Sequence, residues 1–243
     1  MGTVVSIDVR GTVPADGAVG RVVRWLHEVD VTFSTYRPDS VICRIDRGEL
    51  PLADAPAQVR WVLERCARLR RETNGFFDVR ARDGVLDPSA LVKGWAVQRA
   101  ADLLVGEGLR DFCLNAGGDV VTRGAPHPEP CWRVGIQHPG DRGALAAVVE
   151  ANDLAVATSG TYERGEHIVD PHTGRPPRGV RSVTVCGPDL GTADVYSTAA
   201  FAMGDQGPSW TMSLPGYTAL TILANDIVLS TPGFPATSEA ATR

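Results

Sequence analysis

Short strand-like segments separated by turn residues occupy most of the second half of the sequence, and this pattern limits the possible folds more than any other feature. The segments are rich in apolar and β-branched residues and are bounded by Gly, Pro, Asn and Asp, as is typical of strands joined by tight connections. Their spacing indicates an antiparallel meander. The predicted strands cover residues 111–116, 132–137, 144–150, 154–157, 167–169, 182–186, 218–223 and 227–230.

The remainder of the chain shows helical periodicity, apart from a first strand in which Val5, Ile7 and Val9 alternate with polar residues. We expect Asp54 to cap the second helix and Ser89 to cap the third, because such side chains accept hydrogen bonds from free N–H groups at a helix start. The predicted helices run over residues 17–30, from residues 54–56 to 73–75, from residues 87–89 onward, and over residues 192–203.

The overall composition argues against several functional classes. The 243 residues carry a formal net charge of −5, and the isoelectric point is near 5.5, so a nucleic-acid-binding surface is not expected. The five cysteines are odd in number and show no C-x-x-C spacing, which disfavours a disulfide framework or a zinc site and favours reduced thiols in a cytoplasmic protein. We find neither a signal-peptide pattern nor an apolar run of about 20 residues, so we expect no membrane insertion.

A stretch dense in Thr, Ser, His, Asp and Gly, residues 157–177, is the first candidate for chemistry. Thr158, Ser159 and Gly160 form a small-residue turn where a ligand can approach the backbone, and a tight turn with Pro and Gly follows at residues 170–174. Loops that carry such residues at strand ends are common places for binding and catalysis. The stretch is equally compatible with an ordinary polar hairpin.

Two helical segments carry candidate ligands for ions. Asp194 and Thr198 are four residues apart and share one helix face, where two oxygen ligands suit a hard cation such as Mg²⁺. Alternatively, they are a first-turn acid and a back-bonded threonine. Lys93 near a helix start favours an anion site, with a structural salt bridge as the alternative. Gly94 inside the same helical pattern indicates a close approach of another element.

Three loops carry further candidates. Asn115 precedes two consecutive glycines and Asp119, a pattern that fits either an anion-binding nest or a hairpin turn. Tyr36 and Arg37 are placed on a loop where they can stack on and pair with a ligand, although a plain surface position is the simpler interpretation. Asp78 follows two phenylalanines and is compatible with a turn residue.

Eight short motifs occur in order along the chain, and together they resemble the ApbE family of FAD:protein FMN transferases. The resemblance extends from residue 1 to about residue 234. The motifs are Met1-Gly2-Thr3, Ser34-x-Tyr36-x-x-x-Ser40-x-Ile42, Thr73-x-Gly75-x-Phe77-Asp78, Lys93-Gly94-Trp95-Ala96, Asn115-x-Gly117-Gly118-Asp119, Ala157-Thr158-Ser159-Gly160-x-Tyr162, His167-x-x-Asp170-Pro171-x-Thr173-Gly174-x-Pro176, and Ala193-Asp194-x-x-x-Thr198-Ala199-x-Phe201-x-Met203-Gly204.

The resemblance implies an α+β fold in which antiparallel sheets are flanked by helices, T-fold-like, with FAD bound in a central cleft. It also implies a reaction: with Mg²⁺, the FAD pyrophosphate is cleaved, FMN is transferred to a Thr or Ser hydroxyl of an acceptor protein, and AMP is released. Some family members instead hydrolyse FAD to FMN and AMP, and a Tyr at the position of Tyr36 goes with transfer. A flavin-binding module without turnover is the remaining alternative.

Site residues are likewise implied by the resemblance. Asp194, Thr198 and a main-chain carbonyl near Val92 correspond to the Mg²⁺ ligands. Lys93 is close to that carbonyl and would offset phosphate charge, and His167 would act as general base or orient the acceptor hydroxyl. We expect one domain over residues 1–234 and a disordered tail over residues 235–243. The flavin nucleotide pocket is expected to be lined by Tyr36, Asp78, Asn115, Gly117, Gly118, Asp119, Thr158, Ser159, Gly160, His167 and Asp170.

Overall fold

The computed structural model describes residues 3–11, 17–81, 83–160 and 168–237. Its helices are α1 (Ala18–Phe33), α2 (Val41–Asp46), α3 (Ala57–Glu72), α4 (Ser89–Gly106), α5 (Leu190–Ala202) and α6 (Gly207–Thr211), with single 3₁₀ turns at Leu52–Asp54 and Gly204–Gln206. Its strands are β1 (Val5–Arg10), β2 (Asp111–Ala116), β3 (Asp119–Arg123), β4 (Trp132–His138), β5 (Asp141–Ala151), β6 (Ala155–Gly160), β7 (Val180–Gly187), β8 (Thr218–Leu223) and β9 (Val228–Ser230).

Seven of these strands form one sheet in the order β1-β2-β3-β6-β7-β8-β9, and every neighbouring pair is antiparallel. Strands β4 and β5 leave the sheet and pair with each other as a separate two-stranded ribbon. The predicted α+β class with antiparallel strands and flanking helices is therefore confirmed.

The central strands of the large sheet are buried on both faces, whereas the edge strands β1 and β9 are partly or fully exposed. Alternation along β6 shows the two sides, because Ala155 and Ala157 belong to a core shared with the helices, whereas Val156 belongs to a second core shared with the ribbon. Trp132 and Val149 of the ribbon contribute to that second core. Successive side chains of β3 and β6 therefore point alternately toward the helices and toward the ribbon.

Helix α5 is the central helix of the helix-side layer. It packs against β6, β7 and α4, and Thr198 is its only residue that is not fully buried. Two glycines allow α4 and α5 to touch: a Cβ added at Gly94 would lie 2.6 Å from the carbonyl oxygen of Leu190, and one at Gly191 would lie 3.2 Å from the amide nitrogen of Trp95. The close approach that the sequence predicts at Gly94 is thus present, and it brings Lys93 to the side of α5.

Several local predictions require correction. Asp54 lies in a 3₁₀ turn, and Pro56 immediately precedes α3. Ser89 is the first residue of α4 rather than its cap, and its N–H donates to Asp87 Oδ1 at 2.9 Å. The strand predicted at residues 167–169 is absent at the described residues Ile168 and Val169, because they lead directly into the turn that starts at residue 170.

Three short elements were not predicted: α2, β3 and α6. Each has fewer than seven residues, too few to show a period by itself. Residues 235–237, assigned from the sequence to a disordered tail, pair with β5 through hydrogen bonds that include Glu150 N–H to the Pro235 carbonyl at 2.9 Å. Residues 238–243 lie outside the described part of the chain.

Candidate functional site

Three charged side chains meet between α4, α5 and β3, and we call them the carboxylate centre: Lys93, Asp119 and Asp194. Lys93 Nζ lies 2.5 Å from Asp119 Oδ2 and 3.6 Å from Asp194 Oδ2. Asp119 is the first residue of β3 and points to the helix side of the sheet, while Asp194 lies in the first half of α5. The centre therefore depends on the close packing of α4 and α5.

The two acids of the carboxylate centre are buried, whereas the Lys93 side chain is partly exposed. Asp119 is 1% exposed and Asp194 is 3% exposed. Asp119 Oδ2 is in direct contact with the Lys93 ammonium, whereas Asp194 Oδ2 receives no hydrogen bond from the described residues; Lys93 supplies the counter-charge of both. Burial raises the pKa of Asp194 well above its ordinary value; Lys93 acts to lower it, and Asp119 raises it further.

A group of hydroxyls adjoins the carboxylate centre on the next turn of α5. Ser159 Oγ of β6 lies 2.9 Å from Ser197 Oγ and 3.2 Å from Thr198 Oγ1. Ser197 Oγ also donates to the main-chain carbonyl of Asp194 at 2.9 Å. Asp194 and Thr198 thus lie on one face of α5, and Thr198 is the partly exposed residue of the two.

The neighbouring residue Thr158 has a different role from Ser159. Its N–H donates to Asp119 Oδ1 at 3.2 Å, whereas its hydroxyl lies 2.9 Å from Thr184 Oγ1 on the ribbon side of the sheet. Gly160 ends β6 opposite Ser182. The structure therefore brings residues 158–160 to the carboxylate centre mainly through the main chain of Thr158 and the hydroxyl of Ser159.

The Gly-Gly segment forms the hairpin turn between β2 and β3. Gly117 and Gly118 have φ of +59° and +92°, as a two-residue hairpin loop requires. The Gly118 N–H donates to Asn115 Oδ1 at 2.9 Å, and the Gly117 N–H donates to the Val4 carbonyl at 3.2 Å. Of the two interpretations of this segment, the hairpin turn is the one observed, and its role here is to place Asp119.

A second group of predicted residues forms what we call the turn contact, where residues 170–175 pack against residues 73–78. Asp170 organises its own turn, since its carboxylate accepts from His172 N–H and Thr173 Oγ1, both at 2.9 Å. The His172 ring packs edge-on against Phe76 at 4.6 Å, and its Nε2 lies 3.1 Å from the Asn74 carbonyl oxygen.

Asp78 belongs to the same turn contact and is fully engaged there. Its Oδ2 accepts from Arg70 Nε at 2.7 Å, and its Oδ1 accepts from the Arg80 N–H at 2.9 Å.

Tyr36 lies apart from both groups, on the loop after α1, with 95% of its surface exposed. His167 lies outside the described residues. The structure therefore unites Lys93, Asp119, Ser159, Asp194 and Thr198, but it holds Asp78 and Asp170 in a separate network.

The sequence model of the ApbE family matches this chain over residues 1–85 and 80–221. The chain belongs to the ApbE family. Among curated relatives, an FAD:protein FMN transferase of Vibrio cholerae is 29% identical over 75% of this chain and 72% of its own length. One of Rhodobacter capsulatus is 32% identical over 93% of this chain, which spans 42% of that relative.

Solved structures of the ApbE family share the fold. The flavin transferase ApbE from Vibrio cholerae superimposes with a TM-score of 0.83 at 26% identity, covering 98% of this chain and 94% of that one. The ApbE protein from Thermotoga maritima gives a TM-score of 0.82 at 21% identity, covering 95% and 97%. At these coverages the likeness includes both the sheet and the helices that carry the carboxylate centre.

The donors near α5 fit the magnesium ion that the ApbE resemblance implies. The observation that tests the fit is Asp194 Oδ2, a buried carboxylate oxygen without a hydrogen bond from the described residues. An orphaned carboxylate with a nearby threonine hydroxyl gives an all-oxygen donor set, which suits Mg²⁺ rather than zinc. The described residues contain no cluster of three or more His, Cys, Asp or Glu side chains placed for a metal.

Two features of this candidate site escaped sequence reasoning. Ser197 has the signal of helical spacing, three residues after Asp194 on the same face, but serine is too common for this to stand out. The pairing of Lys93 with Asp119 joins residues 26 positions apart in sequence, and no local pattern predicts it.

The described part of the chain contains no helix long and apolar enough to cross a bilayer.

Proposed function

We propose that this chain is a Mg²⁺-dependent FAD:protein FMN transferase, which moves FMN from FAD to a Thr or Ser hydroxyl of an acceptor protein and releases AMP. The proposal rests on one observation in an ApbE-family chain: Asp194, buried and without a hydrogen bond to its Oδ2 from the described residues, one helical turn from the Thr198 hydroxyl. The curated relatives named above bear the same activity in their names.

The proposed reaction exchanges the phosphoanhydride bond of FAD for a phosphoester bond to the acceptor. The oxygen of the acceptor hydroxyl bonds to the phosphorus of the FMN half of FAD. The bond between that phosphorus and the bridging oxygen breaks, and AMP leaves with this oxygen. The hydroxyl proton passes to a base, for which we propose His167 because an unperturbed imidazole titrates near neutral pH.

The metal in this proposal would be held by Asp194, Thr198 and the main-chain carbonyl of Val92. Val92 is the fourth residue of α4, and a carbonyl oxygen has a second lone pair beyond the one used within the helix. When bound, Mg²⁺ would neutralise negative charge that develops on the diphosphate. Lys93 adds a positive charge 3.6 Å from Asp194 Oδ2.

The charges of the site support a requirement for a divalent cation when the diphosphate of FAD binds. Asp119, Asp194 and Lys93 together carry one net negative charge inside the protein when all three are ionised, which would repel a diphosphate. A divalent cation reverses the sign of that charge.

The flavin pocket itself is proposed along Tyr36, Asp78, Asn115, Gly117, Gly118, Asp170 and residues 158–160. The shallow groove between α6 and strands β8 and β9 contains none of these residues.

The experiment uses the full chain with FAD, MgCl₂ and an acceptor protein that bears a flavinylation sequence. Mass spectrometry should detect acceptor enlarged by one FMN and linked through a Thr or Ser, with AMP formed in equal amount. Asp194→Ala should abolish the product, while Asp102→Ala, an exposed aspartate of α4, should not. Chelation of the metal should stop the reaction, and added Mg²⁺ should restore it.

The same reaction mixture separates the alternatives. AMP release at an equal rate with and without acceptor, and without acceptor modification, would indicate an FAD pyrophosphatase. FAD that stays intact after long incubation with Mg²⁺ and acceptor would indicate a binding module. Either result contradicts the transferase proposal.

A further inference from the structure

Lys93 is shared unequally between two buried carboxylates. Its Nζ lies 2.5 Å from Asp119 Oδ2 and 3.6 Å from Asp194 Oδ2. The lysine side chain is a flexible four-carbon stem with a compact charge, so its position depends on the acid that holds it. The closer acid is the one that the proposed metal site does not use.

Asp119 is fixed in place by the main chain around it. It is the first residue of β3, directly after the hairpin loop, and it pairs with Ala116 across the hairpin. Its Oδ1 accepts the Thr158 N–H at 3.2 Å, which also fixes the carboxylate to β6. With 1% of its surface exposed, Asp119 offers almost no area to a flavin, although the family resemblance places it in the flavin pocket.

We propose that Asp119 is a positioning residue that holds the Lys93 ammonium away from Asp194 and so keeps Asp194 Oδ2 available to a divalent cation. This inference rests on the proposed metal site. An ammonium that closed onto Asp194 would compete with the cation for the same oxygen, and the attraction between unit charges at such distances is large in a buried site. Asp119 removes that competition by binding the lysine more closely.

The decisive variant is Asp119→Asn, with Mg²⁺ affinity measured by titration calorimetry in the absence of FAD. Asparagine keeps the Oδ1 acceptor for the Thr158 N–H, but it replaces the anionic Oδ2 with an NH₂ group that cannot hold an ammonium. Lys93 should then move to Asp194. We expect Mg²⁺ affinity to fall by about 10- to 100-fold, the usual effect of removing a group that supports a metal ligand.

The double variant Asp119→Asn with Lys93→Met identifies the route of the effect. Methionine preserves most of the lysine stem and removes the charge, so Asp194 has no competitor, and Mg²⁺ affinity should return to within about threefold of wild type. A merely structural role for Asp119 would give a double variant as weak as the single one. A direct metal ligand role would do the same, and either result overturns the proposal.

Two further measurements test the competition by Lys93 and the metal site separately. Lys93→Met alone should bind Mg²⁺ at least as tightly as wild type, a prediction that holds even if Asp119→Asn fails to fold; weaker binding would refute competition by the lysine. Wild type and Asp194→Ala are titrated in parallel. Equal binding by these two proteins would overturn the metal site and this inference together, whereas unchanged binding by Asp119→Asn would overturn only the inference.

Discussion

The carboxylate centre and the turn contact both contain acidic residues that the sequence assigns to one site, yet they differ in how their oxygens are satisfied. In the turn contact, both oxygens of Asp78 and both oxygens of Asp170 accept hydrogen bonds from groups nearby in sequence. In the carboxylate centre, Asp194 Oδ2 receives no hydrogen bond from the described residues, and Lys93 is the counter-charge of both acids while lying closer to Asp119.

This difference separates local structure from ligand binding. A buried polar atom without a partner costs about 1–3 kcal/mol, and more when it is charged. Such an atom in a native fold calls for an explanation, and a bound ion is one. The oxygens of Asp78 and Asp170 already have protein partners and call for no such explanation. Four experiments can break or sharpen this distinction.

The largest effect is expected for Asp194→Ala. Removing the unsatisfied carboxylate should lower the rate of FMN transfer by about 10²–10³-fold or more, the range for loss of one preorganised electrostatic group. The measurement is the initial rate of acceptor flavinylation at saturating FAD and Mg²⁺. Asp78→Ala is the counterpart in the turn contact, and an equally large loss of rate there would erase the distinction between the two regions.

The next effect concerns the packing that creates the carboxylate centre. Gly94→Ala would place a methyl group 2.6 Å from the Leu190 carbonyl oxygen, so α4 and α5 must separate, at a cost of about 1–3 kcal/mol in unfolding free energy. Gly106→Ala, in the same helix with no atom within 4 Å of the added methyl, is the matched control. Chemical denaturation of both variants measures the difference, and equal stabilities would contradict the close helix contact.

The third effect, a smaller one, is a change in the stability of the metal-free protein with pH. Burial raises the folded-state pKa of Asp194 above its unfolded value, so the folded protein binds this proton more tightly. The stability that this proton contributes is fully present below the pKa of the unfolded state. It is lost as the pH rises through the pKa of the folded state. Near neutral pH in a chelator, Asp194→Asn should therefore unfold at a temperature higher by about 2–4 °C for each 1 kcal/mol gained.

The control for this third experiment is in the turn contact. Asp78→Asn removes an anion paired with Arg70, so its unfolding temperature should be equal to or below that of wild type. Wild-type protein that gains stability relative to Asp194→Asn as pH rises would contradict the sign of the argument. Added Mg²⁺ should stabilise wild type and leave Asp194→Asn unaffected.

The smallest effect is expected for His172→Ala in the turn contact. It removes the edge-on contact with Phe76 and the hydrogen bond to the Asn74 carbonyl, interactions worth about 0.5–1.5 kcal/mol. Thermal unfolding should show this loss while Mg²⁺ affinity stays at the wild-type value. A large change in Mg²⁺ affinity would mean that the turn contact also supports the metal site.

Much of the architecture was accessible from the sequence. The helices with an apolar stripe, such as the segment containing Val59, Val62 and Cys66, were located because side chains at helical spacing all become buried. Helix ends were less accessible, since Asp54 and Ser89 have the chemistry of caps but are placed one element or one residue away from the capping position.

The placement of candidate site residues in the fold was predictable where the residues are close in sequence. Asp194 and Thr198 share a face of α5 because four residues make about one helical turn, and Gly94 does mark a close helix contact. Asp78 and Asp170 were grouped with them through family resemblance, while their hydrogen-bond partners lie within eight residues of them in sequence. Their role in binding flavin, like that of Tyr36 and His167, stays a prediction.

The sequence by itself determined the order of the longer helices and of most strands, the antiparallel class and the α5 face that carries Asp194 and Thr198, because these depend on periodicity and turn chemistry over a few residues. Only the tertiary structure decided that Lys93 lies between Asp119 and Asp194, and that Asp194 Oδ2 is buried without a hydrogen bond from the described residues. The reason is physical: burial and counter-charge depend on which distant segments pack together, and those contacts leave no local pattern in the chain.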